Sequence, residues 1–260
     1  MGSNLPPRAT PLQPRKRAII VGASSGIGAA LAQRLASEGY TLALLARRTD
    51  RLAGLCAGIN AAAGEVCALP YRFDVTDHTE VPAMLQKIIA ELGGLDLIIY
   101  NSGITLPSAF NEYDFEKDHR TTVVNYLGAL AWLDPVATLF QNIHSGTIVG
   151  ISSVAGDRGR TGNPSYAASK AALTCYLESL RNRLTRQGVH VLTVKPGFVA
   201  TELTKDQSGL FWVIPASQAA ADICKAIRKR WQVIYVPARW RLVMLIVRNI
   251  PSVIFRRLSF

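Results

Sequence analysis

Cysteine is scarce and scattered in this 260-residue chain. Cys56, Cys67, Cys175 and Cys224 form no C-x-x-C pair and no Cys/His cluster, and His78, His119, His144 and His190 also lack ligand spacing. No metal site is expected, and structural or surface roles are the default for all eight. The amino terminus is basic but has no apolar run of the kind a secretory signal needs. A reducing, cytoplasmic setting is therefore expected. Internal repeats and low-complexity segments are absent. Acids are missing from both ends: none occurs before residue 18 or after residue 236.

That last absence reshapes the net charge of +11. Such an excess ordinarily prompts a nucleic-acid reading. Here Arg8, Arg15, Lys16 and Arg17 precede the body, and Arg239, Arg241, Arg248, Arg256 and Arg257 follow it. These nine supply most of the excess, so the body is nearly neutral and no nucleic-acid partner is expected.

The body alternates. Short apolar runs at 17–21, 41–46, 66–72, 95–100, 146–151, 189–195 and 233–236 read as strands. Helical stretches at 27–38, 50–63, 77–92, 112–141, 164–187 and 216–231 separate them. Strands alternating with helices predict an α/β chain with a doubly wound parallel (Rossmann) sheet of about seven strands. At this length a single domain is expected. Residues 1–15, with four prolines, read as a disordered leader. Residues 16–237 form the sheet domain, and 238–260 a basic, amphipathic C-terminal extension.

The first strand runs into R-A-I-I-V-G-A-S-S-G-I-G-A-A-L, with Gly22, Gly26 and Gly28 ahead of a helix. Glycines let backbone approach a pyrophosphate, and the helix start offers free N–H groups and a positive dipole end. A tight turn without a ligand is the bland alternative. The second strand ends in Arg47-Arg48, with Ala46 where an acid for a ribose 2′-hydroxyl would stand. Arginine there accommodates a 2′-phosphate, so NADPH is expected over NADH. Asp50, the nearest acid, reads as a helix N-cap for Leu52 onward.

Residues 153–170 read S-V-A-G-D-R-G-R-T-G-N-P-S-Y-A-A-S-K. Tyr166 and Lys170 are four apart and share a helix face. A free phenol, with a pKa near ~10, is a poor acid–base catalyst at neutral pH, and a fixed cation beside it favours the phenolate. Ser153, thirteen residues upstream, can hydrogen-bond the same substrate oxygen. The trio suits proton exchange with a carbonyl or alcohol oxygen. Spacing alone is weak: Tyr113 and Lys117 share it, within N-E-Y-D-F-E-K-D, and read as a solvated helix start.

Gly22-x-x-x-Gly26-Ile27-Gly28, Asp74-Val75, Asn101-Ser102-Gly103, Asn125, Ser153, Tyr166-x-x-x-Lys170 and Pro196-Gly197 fall in one order and spacing. In that order the chain resembles the short-chain dehydrogenase/reductase family over roughly residues 16–236. Two departures, Val21 where threonine is common and N-S-G where N-A-G is usual, remove no chemical group. The resemblance implies an NAD(P)-dependent enzyme acting on CH–OH/C=O. Asn125, Ser153, Tyr166 and Lys170 would be catalytic, with Asn125 in a proton relay through water. Cofactor contacts would come from Gly22, Ser24, Ser25, Gly26, Ile27, Gly28, Arg47, Arg48, Asp74 and Val75. Further contacts would come from Asn101, Gly103, Tyr166, Lys170, Pro196, Gly197, Val199 and Thr201. Asp74 would lie near the adenine, Asn101 beside the cofactor and Thr201 on the nicotinamide carboxamide. The family commonly forms dimers or tetramers through the helices here at 112–141 and 164–187. A cofactor-binding protein without turnover, or a membrane scaffold using the tail, is the competing reading.

The loop from Leu203 to Ala216 covers the substrate in this family, and its apolar run starts Leu210-Phe211-Trp212. With Ser153, Ala155 and Tyr166 these make the expected substrate pocket, for an apolar ketone or aldehyde, lipid-like ones included. The tail W-R-L-V-M-L-I-V-R-N-I-P-S-V-I-F-R-R-L-S-F has six apolar residues in a row, far short of the ~20 that span a bilayer. Pro251 splits it. It reads either as a segment lying in an anionic membrane interface, at the inner face of a membrane, or as one packed on its own pocket or on a partner subunit. It is similar to the tails of lipid-acting members such as 3-ketosphinganine reductases. On the membrane reading, a chain ending at Ala238 is expected to keep activity on short soluble carbonyls, because every catalytic group lies before residue 200.

Overall fold

The computed structural model describes residues 16–205 and 209–258; the leader at 1–15 lies outside them. Seven parallel strands form one sheet in the order β3-β2-β1-β4-β5-β6-β9. They are β1 (Lys16–Val21), β2 (Tyr40–Ala46), β3 (Ala68–Arg72), β4 (Leu97–Tyr100), β5 (Thr147–Ile151), β6 (His190–Pro196) and β9 (Val233–Val236). A separate two-strand pair joins β7 (Val199–Ala200) to β8 (Ile214–Pro215).

Near-continuous apolar strands are what a parallel sheet covered on both faces requires. Alternation assigns each side chain its face. Ala18 and Ile20 of β1 join a core with α1 (Gly26–Ser37), α2 (Thr49–Ala63) and α7 (Ala216–Arg228). Ile19 and Val21 join the opposite core, made with α3 (Val81–Leu92), α5 (Gly128–Ile143) and α6 (Pro164–Leu184). The sheet order reverses between β1 and β4, which opens a crevice above the strands' carboxyl ends, the usual ligand position in such sheets.

Strand and helix positions agree with the sequence expectation to within a few residues, with particular differences. The stretch expected as one helix over 112–141 is α4 (Phe115–Thr122), a π-helical turn at Val123–Leu127, then α5. Phe115–Ile143 is long enough to cross a membrane and contains an 18-residue apolar window, but half of that window is buried. Trp132, Leu133, Val136 and Phe140 lie in the core, as a core helix demands. At α2, Arg48 holds the cap position and Asp50 falls in the first turn, where its charge still favours the dipole.

The C-terminal residues fold back on the domain. α8 (Trp240–Asn249) buries Trp240 and Met244 against Val154. α9 (Ser252–Phe255) follows Pro251. Arg158 closes the end of α8 by donating from Nη1 to the carbonyls of Val247 (2.7 Å) and Ile250 (2.5 Å). Its guanidinium lies 3.9 Å from the Phe255 ring centroid. Helix-terminal carbonyls have no partner of their own helix, and this cation supplies one.

Candidate active site

A cleft of about 440 Å³ opens over the carboxyl ends of β1, β4, β5 and β6. Its floor is the turn after β1. Gly22 has φ +89°, and a Cβ there would stand 2.6 Å from the Ser102 nitrogen. At Gly28 a Cβ would meet the Gly22 carbonyl at 2.2 Å. Asn101 donates from Nδ2 to that carbonyl at 2.7 Å. The glycines are therefore set by close backbone approach, and the turn exposes α1's free N–H groups to the cleft.

Arg48 reaches over this turn. It donates to Ser24 Oγ at 3.0 Å, to Ser25 Oγ at 2.7 Å and to Glu202 at 2.6 Å. Arg51 also bonds Glu202. The hydrogen bond from Arg51, then that from Arg48, holds the Glu202 carboxyl down at about 2. Arg47 turns to the other side and pairs with Asp74 at 3.6 Å. Arg51 and Glu202 escaped the sequence reading. Arg51 is on the outward face of a helix start, and only the fold brings Glu202, some 150 residues later, to it.

Tyr166, Lys170 and Ser153 converge on the far end of the cleft. Ser153 caps the helical turn Val154–Asp157, accepting from the Ala155 N–H at 3.1 Å, and its hydroxyl hydrogen-bonds the Tyr166 phenol. Lys170 is buried and donates from Nζ to the Ile151 carbonyl at 2.9 Å. That nitrogen lies 5.8 Å from the Tyr166 ring centroid. Burial depresses the ammonium to about 8. Burial also raises the Tyr166 phenol above its ordinary value, opposed only by the Ser153 hydrogen bond. Spacing alone predicts a phenol lowered by the lysine. The structure shows the opposite direction, because desolvation of the phenolate is the dominant cause and Ser153, not Lys170, is the neighbour that opposes it.

Asn125 sits behind this group, fully buried in the π-helical turn. Its Oδ1 accepts from the Ile104 N–H at 2.8 Å, and its Nδ2 donates to the Ile104 carbonyl at 3.0 Å and to Ser169 Oγ at 3.1 Å. The extra residue of a π turn re-aims one side chain, a device common at functional sites. Asn125 thereby clamps the Gly103–Ile104 segment beside Lys170. A Cβ on Gly103 would lie 3.2 Å from Lys170 Nζ.

Most of the expected cofactor contacts line this one cleft: Gly22, Ser24, Ser25, Gly26, Ile27, Arg47, Arg48, Val75, Asn101, Gly103, Tyr166, Lys170, Pro196, Gly197, Val199 and Thr201. Gly28 lies beneath the turn, and Asp74 flanks a neighbouring groove with Arg47 and Arg72. Ala155, Leu210, Phe211 and Trp212 are not among the cleft's walls. Phe211 and Trp212 instead pack outside it, mostly edge to face, with Phe198 and Trp240. The competing pair is solvated: Tyr113 is exposed, Lys117 pairs with Glu112 at 2.5 Å, and Asp114 caps α4.

A parallel sheet with a glycine-floored crevice and a Ser–Tyr–Lys group at one end defines an NAD(P)-dependent oxidoreductase acting on CH–OH or C=O. Residues 16–209 match the model of the short chain dehydrogenase family. An uncharacterized oxidoreductase of Mycobacterium tuberculosis is 32% identical over 216 residues, 83% of this chain and 85% of that one. A ketoacyl reductase of a Nostoc species is 33% identical over 192 residues, 74% of this chain and 66% of its own length. A short-chain dehydrogenase from Sphingobium yanoikuyae, solved in complex with NADPH, superposes with a TM-score of 0.80 at 27% identity, covering 91% of this chain and 97% of that one. The chain belongs to the short-chain dehydrogenase/reductase family.

Proposed function

We propose that this enzyme reduces an apolar ketone or aldehyde with NADPH, or runs the reverse alcohol oxidation. The carrying observation is that Ser153, Tyr166 and Lys170 meet in the same cleft whose other end holds Arg48 on Ser24 and Ser25. The residues fit a dinucleotide. Arg47 and Arg48 would hold the 2′-phosphate. The Gly22–Gly28 turn would take the pyrophosphate and Asp74-Val75 the adenine side. Asn101, Gly103, Pro196, Gly197, Val199 and Thr201 would border the nicotinamide half. When bound, the reduced nicotinamide supplies a hydride. Tyr166 gives its phenolic proton to the substrate oxygen, which Ser153 holds by its hydroxyl. Lys170 supplies the positive charge that eases that transfer and would bond the nicotinamide ribose. Asn125 keeps Lys170's wall in place and would stand in the path that returns a proton to it.

The NADPH complex of the Sphingobium relative and the ketoacyl reductase name of the Nostoc relative support the cofactor and the carbonyl class. The basic, apolar tail supports an apolar, lipid-like substrate and an enzyme peripheral to a membrane, and the family's habit supports a cytoplasmic dimer or tetramer paired through α4–α5 and α6.

NADPH consumption against ketones and aldehydes of increasing chain length tests the reaction, and silence on the whole panel refutes it. Cofactor choice rests on the arginines. Arg48→Ala should raise the NADPH Kd by about tenfold or more, roughly 1.4 kcal/mol, and leave NADH little changed. Equal losses for both cofactors would make Arg48 a structural residue.

A further inference from the structure

Trp240 is where the C-terminal helix meets the active site. Its indole is 2% exposed and lies on Gly197, a wall of the cleft, where a Cβ would come within 1.9 Å of Nε1. Glycine is what lets the ring in. Trp240 packs edge to face with Phe198 at 5.6 Å and Trp212 at 5.9 Å, and tilted against Phe211 at 5.3 Å between centroids. One aromatic cluster thus ties α8 to the Pro196–Gly197 turn and to the loop between β7 and β8. Val154, next to Ser153, packs into it as well. The indole N–H is buried without a partner among the described residues, so the rings do the holding.

The opposite face of α8 is apolar and uncovered. Leu242, Leu245 and Ile246, spaced as neighbours on one helix face, are 68%, 60% and 67% exposed. Exposed Val253 and Ile254 follow in α9. Arg241 and Arg248 border the stripe, and residues 237–260 carry five arginines and no acid. A second copy of this face would set arginines against arginines. An anionic lipid surface complements both the charge and the apolar stripe.

We propose that α8 docks on an anionic bilayer through Leu242, Leu245 and Ile246, and that Trp240 passes this docking to residues 209–213 ahead of β8, steadying them beside the cleft. The inference rests on the carbonyl-reductase reading for what the loop covers. The substrate it implies is a carbonyl on a chain long enough to reside in the bilayer.

The full-length protein is mixed with vesicles of phosphatidylcholine, with or without phosphatidylglycerol. Sedimentation and hydrogen exchange of the amides at 209–214 are then measured. The wild type should sediment only with the anionic vesicles, less at high salt, and those amides should slow by about tenfold or more when bound. Leu242→Glu/Ile246→Glu, at exposed positions, should keep its melting temperature and lose both effects. Trp240→Ala should sediment but show no slowing. Trp240→Phe should slow like the wild type, because the lost N–H has no partner. Failure of the wild type to sediment overturns the docking. Sedimentation without slowing, or equal slowing in Trp240→Ala, overturns the coupling. A dimer that Leu242→Glu/Ile246→Glu dissociates assigns the face to a second copy and also overturns the proposal. None of these readouts needs turnover, so an inactive carbonyl panel would refute the reductase reading and the implied substrate, while docking and its coupling to residues 209–214 are decided by sedimentation and exchange alone.

Discussion

Lys170 and Tyr166 show why burial, and not only neighbours, sets the chemistry of a residue. Burial holds the Lys170 ammonium at about 8, charged below that pH and neutral above it. Tyr166 is pushed upward, so the phenol keeps its proton across the same range. The group lost first on raising pH is therefore the cation. For carbonyl reduction, kcat/KM should hold through neutrality and fall above about pH 8, since this ratio reports groups of the free enzyme. Lys170→Arg keeps a charge that does not titrate in this range, so what activity remains should lose that limb. A limb unmoved by the substitution would belong to another group. Tyr166→Phe keeps the ring and removes the proton. Its kcat should drop by about 10²-fold or more while NADPH binding by fluorescence titration stays intact. Tyr113→Phe, on an exposed loop, should change neither.

Among the elements, the short helical turn Val154–Asp157 has the most to hold. It starts at Ser153, and its last residue is fastened from two strands. Lys195 of β6 lies 2.5 Å from Asp157, and Tyr235 of β9 donates to the same carboxylate at 2.7 Å. Asp157 and Lys195 are both almost wholly buried. Removing one partner of a buried pair strands the other charge, which costs about 3–5 kcal/mol. Asp157→Ala should lower urea-unfolding stability by about that amount, and a loss under 1 kcal/mol would mean water reaches Lys195. This turn shows where sequence legibility stops. The sheet, its helices and the Ser153–Tyr166–Lys170 group are readable because periodicity and short spacing are local. The tie from Asp157 to Lys195 and Tyr235 spans some 40 and 80 residues and leaves no pattern. The π turn at Asn125 is equally silent, since a helix with one extra residue keeps the composition of a helix. Arg51 and Glu202 look like ordinary surface charges until the fold sets them over the glycine turn.

For the molecule as a whole, the open question at the level of sequence is whether the tail is an appendage or part of the body. Composition gives it a basic, apolar character that fits either a membrane or a packing surface. The structure divides the two: the inner face of α8 is core, and the outer face is exposed. A chain ending at Ala238 therefore removes Trp240 and Met244, both buried, and uncovers Gly197, Phe198 and Val154. Emptying one such site costs about 2–5 kcal/mol, so losing both comes to roughly 5 kcal/mol or more. Whole domains are stable by only about 5–15 kcal/mol. The expectation that this truncation spares activity on short carbonyls is thus reversed. Although every catalytic group lies before residue 200, the cleft wall at Gly197 depends on residue 240. The truncated chain should melt at least about 10 °C below the full-length protein and lose most of its turnover of a short soluble ketone at 37 °C. A chain ending instead at Ile250 keeps α8 and Arg158's carbonyl partners, and should retain most of both. Scanning calorimetry of the two truncations beside the full chain decides it. Equal melting temperatures for all three would make α8 an appendage after all.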